Sequence, residues 1–187
     1  LSDIPTTPAG GQPLDQASAT EQVIPSAGDA SPTQSVLEQI RAKHGQLGAQ
    51  ATPLELAVPG YDGLLLIRFR WIAPEDLTKG AEELLKIGNP TKQRVAAAAD
   101  TLIRTAQEFL IKVGDQVKPL APEGEDPITV FGDPRLPALL GFNATENARL
   151  AARSVFANDY SLIDAGEVVM AWLKDTSRNI ERDLSGN

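Results

Sequence analysis

Leu54-Glu55-Leu56-Ala57-Val58-Pro59-Gly60-Tyr61-Asp62-Gly63-Leu64-Leu65-Leu66-Ile67-Arg68-Phe69-Arg70-Trp71-Ile72 is the stretch on which the fold turns. Leu54, Leu56 and Val58 alternate, residues 59–63 supply turn formers, and apolar residues return at Leu64. A period of two around Pro and Gly is the pattern of a β-hairpin, expected over 54–72. On the return strand Leu65, Ile67, Phe69 and Trp71 share one face, while Leu64, Leu66, Arg68, Arg70 and Ile72 share the other, which is half basic. Arg68 and Arg70 beside Trp71 are too small a platform for single-stranded nucleic acid, which needs several aromatics along a basic groove. Two strands alone are marginal in water. The apolar face therefore calls for cover by helices or by another chain.

Downstream the period changes to that of helices. Pro74-Glu75-Asp76 opens one, with Leu77, Ala81, Leu84 and Leu85 on its stripe and Gly88 at its end. Asn89-Pro90 starts the next, on which Val95, Ala99, Leu102, Ala106, Phe109, Leu110 and Val113 recur at helical spacing. Arg104, Glu108 and Lys112 make an i,i+4 ladder on it, and Gly114 reads as its C-cap. Residues 115–134 read as a flexible acidic loop, with a short strand over 128–131 inside it and irregular chain continuing past Pro137 and Gly141. Asn143-Ala144-Thr145-Glu146 then caps a helix burying Ala148, Ala152, Val155 and Phe156. After a break at Asn158-Asp159 comes a helix on Leu162, Ile163, Val169, Trp172 and Leu173, and Thr176 caps a last turn with Ile180 and Leu184.

Upstream of the hairpin, Ser31-Pro32-Thr33-Gln34 opens a short helix on Val36, Leu37, Ile40 and His44, stopped by Gly45 and Gly48. Residues 1–33 hold five prolines and no Lys or Arg, a composition expected to stay disordered. The expected fold is α+β and mainly helical: a disordered arm over 1–33, then a single domain over 34–187 whose hairpin packs on about five helices.

The composition narrows the chemistry. The 187 residues include no Cys and one His, which leaves no disulfide framework, thiolate metal site or Cys nucleophile. The net charge of −8 disfavours nucleic acid and anionic membranes as main partners. Residues 1–33 and 115–134 carry −4 each, so the rest of the chain is electrically balanced. There is no basic, apolar leader pattern at the start and no run long enough to span a bilayer, so the chain reads as soluble and intracellular. Phosphate-loop, dinucleotide, nucleophile-elbow and zinc-helix signatures are absent. His44, on a short helix beside the arm, is poorly placed for a Ser-His-Asp arrangement. Glu123-Gly124-Glu125-Asp126 lacks the ligand alternation of a calcium loop. No catalytic, cofactor-binding or metal-ligating residue is assigned, and a non-enzyme is expected.

The C-terminal third carries a resemblance. Ala148-Arg149-Leu150-Ala151-Ala152-Arg153-Ser154-Val155-Phe156-Ala157-Asn158-Asp159-Tyr160, followed by Leu162, Val169, Trp172 and Leu173, resembles tail assembly chaperones of long-tailed phages of actinobacteria. Those proteins often pair a Val-Phe-x-Asn-Asp-like break with a downstream Trp on an amphipathic helix. Residues 56–61 and Arg68-Phe69-Arg70 are similar to the opening of their folded part. Read as packing alone, Val155, Phe156, Leu162 and Trp172 are the core of a helical hairpin and Asn158-Asp159 its turn. The resemblance implies a non-enzymatic assembly factor in the host bacterial cytoplasm that binds the tape-measure protein, keeps its long helix soluble and recruits tail-tube subunits. Members of that family often self-associate, which allows a homo-oligomer, while the absence of a nucleic-acid or membrane partner is the expectation from charge and composition. The arm is longer than expected for that family, which keeps open a structural virion component, a connector or tail-associated protein whose arm orders on its neighbours. Leu64, Leu66, Arg68, Arg70, Trp71, Phe156 and Trp172 are the expected partner-binding residues.

Overall fold

The computed structural model describes residues 32–145 and 147–186. Residues 1–31 of the arm expected over 1–33, Glu146 and Asn187 lie outside them, and the last two residues of that arm, Pro32 and Thr33, are helical. The chain is α+β and mainly helical, with a four-stranded antiparallel sheet in the order β1-β2-β3-β4 and seven helical segments among the described residues, where two strands on about five helices were expected.

Helix α1 (Pro32–Gln50) runs straight through the two glycines expected to stop it. It ends at Gln50, three residues before Pro53, whose ring disfavours helix at the residue before it. Strands β1 (Leu54–Ala57) and β2 (Leu65–Phe69) form the expected hairpin, Leu56 opposite Ile67 and Leu54 opposite Phe69. Left-handed conformations at Gly60, Asp62 and Gly63 reverse the chain between them. Leu65, Ile67 and Phe69 are at most 2% exposed, and Leu66 and Arg68 alternate with them on the outer face, as the pleat requires.

The helix expected from Pro74 is two short ones, α2 (Pro74–Thr78) and α3 (Ala81–Leu85), parted at Gly80, where φ is 84°. Arg104 satisfies the carbonyls left at the break, donating from Nη2 to Lys79 at 2.6 Å and from Nη1 to Asp76 at 3.4 Å. Its side chain belongs to this packing and not to a surface ladder.

The largest departure follows. Helix α4 (Pro90–Thr105) is capped by the Asn89 side chain, which accepts from the Lys92 N–H at 3.0 Å. It stops at Thr105, and the second half of the expected helix is strand β3 (Ala106–Val113). A helix to Val113 would leave the far edge of β2 unpaired beside a buried row of side chains, which the backbone does not tolerate. Instead Arg70 donates its N–H to the Thr105 carbonyl at 2.8 Å, and Ile111 and Phe109 lie opposite Leu65 and Ile67. A bulge lets Arg68 face Glu108 and Phe69 face Ala106, leaving Gln107 as the extra residue. Gly114, at φ 60°, is no helix cap: with Asp115 it makes the two-residue turn into β4 (Gln116–Pro119), Val113 lying opposite Gln116.

The acidic stretch after β4 is stitched to the sheet. Leu120 donates to the Phe109 carbonyl at 2.7 Å, Ile128 to Leu120 at 2.9 Å, and Phe109 to Ile128 at 2.9 Å. No strand forms over 128–131; Ile128 and Phe131 are instead buried plugs, Phe131 standing edge-on to Phe109 with ring centroids 5.0 Å apart. Arg135 ties the loop together, reaching Asp133, Glu125 and the Asp126 carbonyl.

Helix α5 (Leu136–Leu140) occupies chain expected to be irregular. Helix α6 (Ala148–Val155) is capped by Asn147 and not by Asn143; its side chain accepts from Arg149 and Leu150 at 2.9 and 3.3 Å. The break at Asn158 is as expected, with Asn158 capping α7 (Asp159–Ser185) by accepting from Ser161 at 2.9 Å. Thr176 starts nothing: α7 continues unbroken for 27 residues. Helices α4 and α7 meet on small side chains, for a Cβ on Gly166 would lie 2.7 Å from that of Ala98. One hydrophobic cluster joins the inner face of the sheet to Leu102, Val155, Phe156, Leu162, Val169 and Leu173. Among the described residues no helix is long and apolar enough to cross a membrane.

Candidate functional site

The strand register organises the outer face of the sheet into rows. One is charged: Glu55, Arg68 and Glu108 lie opposite one another across β1, β2 and β3. Arg68 donates from Nε and Nη2 to Glu55 at 3.0 and 2.7 Å, and from Nη1 to Glu108 at 2.7 Å. The face expected to be half basic thus has its central arginine outnumbered by carboxylates. Arg70 is exposed at the end of the strand.

The next row is apolar and crosses all four strands: Ala57, Leu66, Leu110 and Pro119 pair in succession. Leu110 is 2% exposed yet lies outside the main hydrophobic cluster, as its position on the opposite face requires. Beside this row, Val117 is paired with Lys112, whose N–H donates to the Leu64 carbonyl at 2.8 Å. Leu64 is 56% and Val117 46% exposed. Branched apolar side chains standing half in water beside an apolar row are a surface suited to burial against a partner.

Of the residues expected to bind a partner, the structure gathers Leu64, Leu66 and Arg68 on this face. Trp71 is on the inner side, buried against Gly48 of α1, with Nε1 donating to Ser177 Oγ at 3.1 Å. Phe156 is fully buried with its ring 6.4 Å from that of Phe131, and Trp172 is half-buried on α7. Both Trp71 and Phe156 serve packing. Leu110, Val117 and Pro119 escape a sequence reading that makes 90–113 one helix. The signal for them is Gly114-Asp115, a two-residue hairpin turn between runs containing Phe109, Ile111 and Val113 on one side and Val117 on the other.

A surface depression of about 780 Å³ lies at the turn from α6 to α7 and is lined by Leu150, Arg153, Ser154, Asn158 and Tyr160. Arg153 is engaged there by Asp159, at 2.8 and 3.0 Å. Tyr160 is 83% exposed. The Arg135 guanidinium holds the Asp133 carboxyl below its usual range, the Asp100 carboxylate raises Arg149, and burial raises the Tyr61 hydroxyl. Among the described residues no group of three or more His, Cys, Asp or Glu is arranged to hold a metal. The side chain of His44, within α1, lies outside those described.

Compared with known protein families, curated proteins and solved structures, the chain has no match.

Proposed function

We propose that this chain is a non-enzymatic tail assembly chaperone of a long-tailed phage, which binds the tape-measure protein on the outer face of its sheet and recruits tail-tube subunits to it. The observation that carries the reading is the apolar surface made by exposed Ala57, Pro119, Leu64 and Val117 around half-buried Leu66, with Leu110 already buried beneath them. An exposed apolar surface bordered by a charged row suits an amphipathic helix, whose stripe would cover Leu64, Ala57, Val117 and Pro119 while its polar flank meets Glu55, Arg68 and Glu108. The resemblance of residues 148–173 to such chaperones supplies the class of partner.

Co-expression with a tape-measure protein tests the reading. The native chain is expected to keep that protein soluble, and Leu64→Asp with Val117→Asp to weaken the complex by about tenfold or more while thermal unfolding stays unchanged. A tape-measure protein that precipitates equally with and without the chain would overturn the proposal. Recovery of the chain in fixed ratio within finished virions would replace it with the structural-component reading.

A further inference from the structure

The apolar surface on the outer face has charge on both flanks, and the flanks differ in sign. On one side Glu55 and Glu108 stand opposite Arg68 and outnumber it. Arg68 engages Oε1 of Glu55 and Oε2 of Glu108, so each glutamate keeps its second oxygen for a further donor. Arg70, beyond the end of β2, shares a depression with Asp76 and Gln107 instead.

On the other side the charge is positive. Lys112 lies in line with Leu64, whose carbonyl accepts from its N–H, and with Val117, its partner across β3 and β4. Lys112 is exposed and forms no ion pair with any described residue; Asp62 and Asp115, in the turns beyond it, do not reach it. Glu108 and Lys112 are four residues apart on β3 and point to the same face, which puts them about 13 Å apart, close to the diameter of a helix with its side chains. Across the strands, the row from Ala57 to Pro119 spans three interstrand spacings, about 14 Å, which nine or ten residues of helix cover.

We infer that the outer face takes an amphipathic helix whose two polar flanks carry opposite charge, Lys or Arg facing Glu55 and Glu108 and Asp or Glu facing Lys112, with its apolar stripe over Ala57, Leu66 and Pro119 between them. Turning such a helix end for end exchanges its flanks, so the charges also fix the direction in which it crosses the strands. This rests on the reading that the outer face binds a helix, and it adds the charge of that helix on each side.

Fluorescence anisotropy on the full chain with synthetic helices tests it. Three lactam-stapled peptides of about 18 residues share one stripe of Leu and Ala and differ in their flanks: Lys on one and Glu on the other, Glu on both, or Lys on both. The mixed helix is expected to bind about fivefold or more tighter than either uniform one, by a margin that shrinks with added salt. Lys112→Glu, at an exposed position, is expected to pass the preference to the helix with Lys on both flanks, a gain that unfolding cannot mimic. A nitroxide at one end of the mixed helix is expected to broaden the amide signals of β1 or of β4, not of both. Equal binding of the three helices, no binding by any of them, an unchanged order in Lys112→Glu, or equal broadening of the two edge strands overturns the inference. If the helices bind equally and Leu64→Asp with Val117→Asp abolishes that binding, the outer face accepts helices without regard to charge and its role as the docking face stands. Equal binding that survives those two substitutions removes both.

Discussion

The sheet contains two hairpins that resemble each other in space and differ in how they are written. The β1–β2 hairpin is framed by Pro59-Gly60 and Asp62-Gly63 and alternates on both sides, so local chemistry alone specifies it. The β3–β4 hairpin has only Gly114-Asp115 at its turn, and its first strand continues a helical stripe without a break. Ala106, Phe109, Leu110 and Val113 fit a helix as well as Ala99 and Leu102 do. Strand β3 exists because β2 offers it a buried row and an unpaired edge. A segment of ambiguous period thus takes the structure that its neighbour can hydrogen-bond.

The comparison can be broken most severely at Phe109, which faces Ile67 across the strands and Phe131 across the core. Phe109→Ala is expected to cost about 3–5 kcal/mol, a large part of the stability of a domain this size, read as a fall in the denaturant midpoint. The expected loss of sheet signal in circular dichroism would come with gain of helix in any residual structure, since the segment then follows its local period. Gly114→Ala probes the one strong turn signal of the second hairpin: its φ of 60° disfavours a Cβ, and a loss of about 1 kcal/mol is expected. Smallest is Arg68→Ala, which unlinks the charged row joining the two hairpins. With Arg68 and its partners part-exposed, about 0.5–1 kcal/mol is expected, diminishing with added salt. A salt-independent loss of several kcal/mol would mean that this row, and not the apolar face, holds β3 to β2.

Legibility followed the reach of each cause. The inner and outer faces of β2, the break at Asn158-Asp159 and the start of α4 at Pro90 rest on interactions within a few residues, and the sequence shows them. The ends of α1 and α7 do not: Gly48 looks like a stop until the Trp71 ring occupies the space it leaves, and Thr176 looks like a new cap within a helix that never breaks. The acidic stretch over 115–134 differs from its sequence pattern for the same reason. Its charge suggests solvent, yet Arg135 gathers three of its oxygen-bearing residues and Ile128 is pinned between Leu120 and Phe109. Of the outer face, Leu64, Leu66 and Arg68 were legible because β2 was. Leu110, Val117 and Pro119 were not, because they need the second hairpin.

By itself the sequence determined the class of the fold, the first hairpin with its buried Leu65, Ile67 and Phe69, and the helix starts at Pro32, Pro74 and Pro90, all products of turn chemistry and short-range periodicity. Only the tertiary structure decided that residues 106–113 are strand, that Arg68 is shared between two glutamates, and that an apolar row crosses four strands. Those outcomes depend on hydrogen bonds and contacts between segments some forty residues apart, as Arg68 to Glu108 is, and local propensity carries no record of a partner that distant.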